Sequence, residues 1–273
     1  MNKKKTKKLF WSLFGIIASL IMLFPLVWMA LAGFKPETEV LSVPFKFLPS
    51  RFILDNYIKV FEDGAFIRAI GTTLIGAVLS TAGCLTVNSL AAYVFARLEF
   101  PLKKLLWVIC ISTMFIPGIA VLIPSFIVVQ KLGMLNTFAV LILPGLAQAS
   151  WIFFLRQFYL GYPRSLEEAA MIDGAGRIRI FIHLYLPYSR APFVIVGIGA
   201  FLGYWNAFVW PVMTLSDERL FQIMQVLAFF RSGQLANPAV VMAASAIAAL
   251  PPLILFSIFQ KHIIEGVKIS GLK

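Results

Sequence analysis

Long apolar runs separated by short polar segments dominate this sequence. Six runs reach the length of about 20 residues that a helix needs to cross the hydrocarbon core of a bilayer. They are residues 9–34, 69–95, 105–129, 137–158, 193–214 and 239–260. No segment between them is long enough to form a separate soluble domain. The pattern predicts an all-α membrane protein with six transmembrane helices.

Composition supports this prediction. Hydrophobic residues make up 60% of the chain and charged residues 13%, whereas soluble domains average about 45–50% and about 25%. Mean hydropathy is +0.89. Cys84 and Cys110 both fall inside apolar runs, so we interpret them as small buried hydrophobic residues rather than as metal ligands or a disulfide framework.

The net charge of +12 is explained by topology. If both termini are cytoplasmic, that side carries 16 of the 24 basic residues and five of the 12 acidic residues, as the positive-inside rule requires. No nucleic acid is needed to account for the charge. The first apolar run exceeds 20 residues, longer than the 7–15 of a signal peptide core, so we expect an uncleaved anchor.

The apolar cores lack the groups that ion-coupled carriers and membrane enzymes need. Their central parts contain no Asp, Glu, Lys or Arg, although such residues are kept inside membranes for ion or proton binding. No metalloprotease, serine-hydrolase or phosphate-loop motif occurs. We expect no catalysis and no metal site, and energy for uphill transport would come from another chain.

One polar segment, residues 161–192, has a sharp pattern. Ser165–Asp173 predicts a short amphipathic helix with a capping box between Ser165 and Glu168 and a stop at Gly174. Acidic residues form one edge, and interfacial helices prefer Lys and Arg instead. A socket on a partner protein therefore fits this helix better than lipid headgroups do. The acidic edge is Glu167, Glu168 and Asp173, and the small face is Ala169, Ala170 and Gly174.

The spacing of Glu168-Ala169-Ala170, Gly174, Leu184 and Leu186-Pro187 resembles the EAA signature of binding-protein-dependent ABC importer permeases, which are MetI-like. The family usually has Ile where Leu184 stands, and its second proline comes one residue earlier than Pro192. Further stretches resemble the shorter, MalG-like permease of the maltose-type carbohydrate subgroup. They are residues 89–100, 123–137, 154–159, 205–211 and 260–273.

The resemblance implies the type I ABC importer permease fold in a bacterial inner (cytoplasmic) membrane. The implied partners are a second, MalF-like permease subunit, a cytoplasmic ABC ATPase dimer that binds the ATP and Mg²⁺, an extracytoplasmic sugar-binding protein, and membrane lipid. The chain itself would hold no cofactor. The implied ATPase-coupling residues are Glu168, Ala169, Ala170, Asp173, Gly174, Leu186 and Pro187.

Domain boundaries follow from the same interpretation. Residues 1–66 would hold the lysine-rich tail, the first span and the first external loop. Residues 67–260 would form the permease core with a coupling helix at about 165–174, and residues 261–273 would form a cytoplasmic tail.

The expected function is ATP-driven import of a carbohydrate, such as an oligosaccharide. Aromatic faces and amides suit a sugar path, although the same side chains often pack helices together. The candidates are Asn88, Gln148, Tyr204, Trp205 and Asn206. Import of a non-sugar solute by the same machinery, or an ion-coupled carrier, stays open as an alternative.

Overall fold

A computed structural model describes residues 3–62, 64–232 and 237–270, and this part of the chain is helical without strands. The helices in chain order are α1 (Lys3–Gly33), α2 (Glu37–Val40), α3 (Asp55–Glu62), α4 (Gly64–Arg97), α5 (Lys103–Ser112), α6 (Gly118–Lys131), α7 (Phe138–Ile142), α8 (Ala149–Leu160), α9 (Arg164–Ile172), α10 (Arg177–Ile180), α11 (Leu186–Tyr188), α12 (Arg190–Trp205), α13 (Val209–Thr214), α14 (Ile223–Ser232) and α15 (Pro238–Ser270).

Three helical segments are long and apolar enough to cross a membrane on their own: Phe10–Gly33, Gly64–Arg97 and Pro238–Lys261. They correspond to the first, second and sixth predicted runs. Three further spans are possible if bent pairs of helices are each counted as one. The number of six spans and the cytoplasmic position of the termini stay predictions.

The third predicted run, residues 105–129, is not one continuous helix. Helical segments Lys103–Phe115 and Gly118–Lys131 meet at 108°. Pro117 explains the break, because it lacks a backbone donor and disfavours helical geometry in the residue before it. Ile116 is accordingly extended, with φ −87° and ψ 116°. By contrast, α1 runs through Pro25 without a break.

The fifth predicted run, residues 193–214, also needs correction. Helix α12 ends at Trp205, and α13 begins at Val209. In an unbroken helix the ring of Pro211 would clash with the carbonyl four residues earlier, at Ala207. The segment that combines with α12 as a bent pair lies before it instead: Arg177–Tyr188, at 82°.

The chain divides into two compact units. One comprises Met1–Arg68 and Val226–Pro251, and the other comprises Ala69–Gln225 and Pro252–Lys273. In the first, Ala32, Val40 and Ala239 form a small core against which Trp28 and Met242 pack.

The second unit has a larger aromatic core, built by α4, α8, α12 and the segment around α10. Leu155, Tyr159, Tyr185 and Val196 are fully buried there. Tyr185 lies edge-on to Tyr159, with ring centroids 5.2 Å apart. Such pairs stabilise a core beyond their buried area. This core includes Ile180, Phe181 and Tyr185, which belong to the polar segment 161–192 described above.

Candidate functional site: the coupling loop

Helix α9 occupies Arg164–Ile172, close to the predicted Ser165–Asp173. The predicted capping box between Ser165 and Glu168 is wrong. Pro163 is the N-cap, no side chain caps the helix, and Ser165 lies within its first turn. Gly174 has φ +80°, the left-handed geometry that glycine adopts at helix ends. The next amide, that of Ala175, donates to the Ala170 carbonyl at 2.9 Å and closes the turn.

The two adjacent glutamates of α9 have opposite environments. Glu168 is exposed, as are Ala169 and Ile172, and the side chain of Ile172 is 86% exposed. Glu167 is only 5% exposed. Successive residues of a helix point about 100° apart, so one of the pair faces outward and the other faces the core. The predicted acidic edge therefore contains Glu168 and Asp173, without Glu167.

Glu167 is the centre of an ionic cluster in which the side chains of Glu167 and Arg97 are buried and that of Arg177 is half-exposed. Its Oε1 accepts a hydrogen bond from Arg177 Nη1 at 2.9 Å, and its Oε2 accepts one from Tyr185 Oη at 3.1 Å. Arg97 Nε lies 3.9 Å from the same Oε2. A buried carboxylate is tolerated only with such partners. The cluster joins α9 to the end of α4 and to the segment that follows α9.

Arg97 extends this cluster to α8. Its Nη2 donates to the carbonyls of Tyr159 and Tyr162, at 2.6 Å each. Carbonyls at a helix C-terminus lack intrahelical donors and favour a cation. The guanidinium also lies 5.5 Å from the ring centroid of Tyr185. Burial raises the pKa of Tyr162, which also lies beside the cluster, to about 12.

Sequence reasoning did not include Glu167 or Arg97 among the site residues. Both carried a signal: Glu167 precedes the EAA glutamate directly, and Arg97 lies in the stretch 89–100 that resembles the family. What was missing was their proximity, because Arg97 meets carbonyls 62 and 65 positions away in the chain.

The second half of the signature forms an elbow. Phe181–Tyr185 is a π-helix, in which the Leu186 amide donates to the Phe181 carbonyl five residues back. π-Helical turns often occur at functional sites. Leu186 is half-buried against the aromatic core, and Pro187 is exposed. The chain then bends by 82° into α12.

Two of the predicted solute-path residues, Asn88 and Tyr204, lie at different heights along α4. Asn88 is fully buried and bridges helices: its Nδ2 donates to the Leu146 carbonyl at 2.7 Å, and its Oδ1 accepts from the Gln148 amide at 2.8 Å. Gln148 itself has an exposed side chain. Tyr204 lies against Gly76, where a Cβ would overlap its hydroxyl. Gly76 and Asn88 are twelve residues apart, or about 18 Å along a helix.

The other two candidates differ in exposure. Trp205 is fully buried and stacks on Phe201, with centroids 5.7 Å apart. Asn206 is exposed at the end of α12. Within the described residues, no group of three or more His, Cys, Asp or Glu side chains is placed to bind a metal ion.

A comparison with known protein families identifies the family of this chain. Residues 88–269, two thirds of the chain, match the family described as binding-protein-dependent transport system inner membrane component. The chain belongs to this family. It is therefore a permease component of a transport system rather than an enzyme, and the predicted family is confirmed.

Relatives match the permease over almost its whole length. It is 32% identical to the diacetylchitobiose uptake system permease NgcG of Streptomyces coelicolor over 92% of this chain and 84% of that protein. It is 31% identical to the arabinooligosaccharides permease AraQ of Halalkalibacterium halodurans, over all of both chains. It is 30% identical to the trehalose/maltose permease MalG of Thermococcus litoralis, over 100% and 99%.

A solved structure supports the fold. A chain of a bacterial ABC transporter that imports the acidic polysaccharide alginate superposes with a TM-score of 0.83, at 19% identity, over 96% of this permease and 98% of that chain. This structural similarity confirms the predicted type I importer permease fold.

Proposed function

We propose that this permease forms half of the translocation pathway of an ATP-driven ABC importer for a carbohydrate, most simply an oligosaccharide, in a bacterial cytoplasmic membrane. The observation that carries the proposal is the full-length similarity to permeases for arabinooligosaccharides and for trehalose and maltose. The proposed partners are a second, MalF-like permease, an ATPase dimer that binds ATP and Mg²⁺, and an extracytoplasmic sugar-binding protein.

The proposed docking face for the ATPase is the exposed side of α9. Glu168, Ala169 and Ile172 lie there, so the face combines one carboxylate with small and apolar contact area. A small residue lets a partner approach closely, and an exposed isoleucine favours protein contact over water. Asp173 and Gly174 follow at the end of the same helix.

The opposite side of α9 would transmit the movement. Glu167 holds α9 to Arg97 on α4 and to Arg177 and Tyr185 before the elbow. A displacement of α9 would then pull on α4 through the ion pair with Arg97, and on the following segment through the hydrogen bonds of Arg177 and Tyr185. These contacts form a contiguous physical network of the kind that coupling requires. ATP binding can shift the equilibrium between the inward-facing and outward-facing states only to the extent that the ATP-bound ATPase binds one of them more tightly.

Solute contact is proposed for the candidates that retain unused polar groups. The Gln148 side chain and Asn206 are exposed, and within the described part of the chain Tyr204 Oη has no hydrogen-bond partner. Asn88 and Trp205 are buried and would shape the wall of the path.

Uptake of a panel of labelled oligosaccharides tests the proposal in cells that lack this permease and carry it on a plasmid. We expect ATP-dependent uptake of at least one sugar, and loss of that uptake by more than 10-fold with Glu168→Lys. The control Glu99→Lys makes the same charge change at an exposed acid outside the loop and should retain uptake.

Equal uptake by Glu168→Lys and wild type at equal membrane abundance would contradict the docking role. An ionophore separates the ion-coupled alternative: it would abolish transport in energised vesicles by a carrier, whereas an ABC importer supplied with ATP continues to transport.

A further inference from the structure

The segment between α1 and α3, residues 34–54, exposes most of its large apolar side chains and pairs several of its polar ones internally. We name it the α1–α3 loop. Val43 is 96% exposed, and most other large residues of the loop are also exposed. They are Leu41, Phe45, Leu48, Phe52 and Leu54. A water-facing loop normally shows the opposite polarity.

Several polar groups of the loop are paired within it. Lys35 is fully buried, and its ammonium donates to the Lys46 carbonyl. The Glu39 carboxylate accepts hydrogen bonds from the amide and the hydroxyl of Ser50. Ser42 Oγ donates to the Glu39 carbonyl at 3.0 Å. Internal pairing of polar groups is what a hydrocarbon surrounding demands, because it offers no hydrogen bonds.

The loop folds back along α1 instead of extending away from it. Phe47 stacks on Phe24, with ring centroids 5.5 Å apart, and Phe45 contacts Trp28 at 6.1 Å. Phe24 lies nine residues before the end of α1 at Gly33, or about 13.5 Å along the axis. The apolar part of α1 has 24 residues, a length of about 36 Å, which exceeds a hydrocarbon core of about 30 Å by roughly 3 Å at each end. The level of Phe24 is therefore about 10 Å inside the hydrocarbon.

We propose that the α1–α3 loop lies in the bilayer leaflet at the C-terminal end of α1, with lipid acyl chains covering its exposed apolar side chains. Two exposed basic residues are adjacent in sequence to the phenylalanines of the loop: Lys46 lies between Phe45 and Phe47, and Arg51 precedes Phe52. Long basic side chains reach the headgroups from such positions. A protein interface normally has a polar rim, and Glu39, Ser42 and Ser50 are already paired within the loop instead of being available to a partner.

Spin labelling of the assembled transporter in phospholipid bilayers tests this inference. Cys84 and Cys110 are replaced by alanine, and a nitroxide is attached through Val43→Cys. Collision rates with molecular oxygen and with a water-soluble nickel chelate are measured. The matched control is Glu218→Cys, an exposed acidic position outside the loop.

We expect oxygen collisions to exceed nickel collisions several-fold at position 43, and the reverse order at position 218. Nickel access at position 43 equal to that at position 218 would overturn the proposal, because the loop would then face water or a loosely bound external protein. An immobilised label shielded from both reagents would also overturn it, because a partner subunit would then cover the loop. Sugar uptake is measured separately, so failure of the proposed function is distinguishable.

Discussion

The ionic cluster around Glu167 and the α1–α3 loop each contain a buried cation beside an aromatic ring, yet the two cations have different partners. Arg97 lies 5.5 Å from the Tyr185 ring and has a carboxylate and two carbonyls as partners. Lys35 lies 5.6 Å from the Phe45 ring and donates to one carbonyl. Among the described residues, no carboxylate lies within 4 Å of the Lys35 ammonium.

The difference concerns what each cation holds together. Arg97 and Glu167 connect separate helices, as the proposed transmission of movement requires. Lys35 connects two points of one loop, eleven residues apart. Breaking a buried ion pair is strongly destabilising, so we expect the contact between helices to matter more than the contact within the loop.

The largest effect is expected for Glu167→Ala. It leaves Arg97 and Arg177 without their carboxylate, and breaking a buried pair costs about 3–5 kcal/mol. Uptake should fall by more than 10-fold, and ATP hydrolysis by the reconstituted transporter should continue without transport. Initial rates of both reactions measure this.

Two variants control this experiment. Glu167→Gln retains acceptor oxygen for Tyr185 and should recover part of the uptake. Glu99→Ala removes an acid that is 85% exposed and paired with Lys103, which is worth at most about 0.5 kcal/mol. Full coupling in Glu167→Ala would show that the cluster does not transmit movement.

We expect an intermediate effect from changing Asn88, whose hydrogen bonds involve no charged group. Asn88→Leu removes hydrogen bonds to the carbonyls of Cys84 and Leu146 and from the Gln148 amide. At about 0.6 kcal/mol for each bond inside a membrane protein, we expect a loss of about 2 kcal/mol. The measurement is thermal unfolding of the purified complex in detergent. If Asn88 only packs helices, the KM for the sugar stays unchanged, whereas Gln148→Ala raises it. A raised KM in both variants would place Asn88 in the path as well.

The smallest effect is expected for Lys35→Met. The variant loses one hydrogen bond from a charged donor, worth about 1.5–3 kcal/mol, and it also removes the cost of burying a charge. We expect a net destabilisation of about 1 kcal/mol and uptake within two-fold of wild type. A loss of transport as large as that of Glu167→Ala would remove the contrast between the two regions.

Much of this architecture could be predicted from sequence, because it depends on local signals. Apolar length located the spans at Phe10–Gly33, Gly64–Arg97 and Pro238–Lys261, and the spacing around Gly174 located α9. Proline could not be interpreted locally: α1 continues through Pro25, whereas the chain breaks at Pro117. Whether a helix survives its missing hydrogen bond depends on neighbours that the sequence does not identify.

The roles of Glu167 and Glu168 show the same limit within one turn. Their side chains are chemically identical, and only the positions of Arg97 and Tyr185 decide which one is held inside. Those positions depend on contacts between residues far apart in the chain, such as Arg97 with Tyr159. A family motif identifies the outward glutamate, and the structure is needed to find the inward one.

The close approach of Gly76 to Tyr204 makes two distant positions into one steric unit. Any side chain at 76 would collide with the phenol, so a saturation screen for folded protein in the membrane should recover substitutions there only together with a shorter residue at 204. Gly76→Ala should lower membrane abundance alone, and Tyr204→Leu should restore it. Among related permeases, bulk at one position should be matched by its loss at the other.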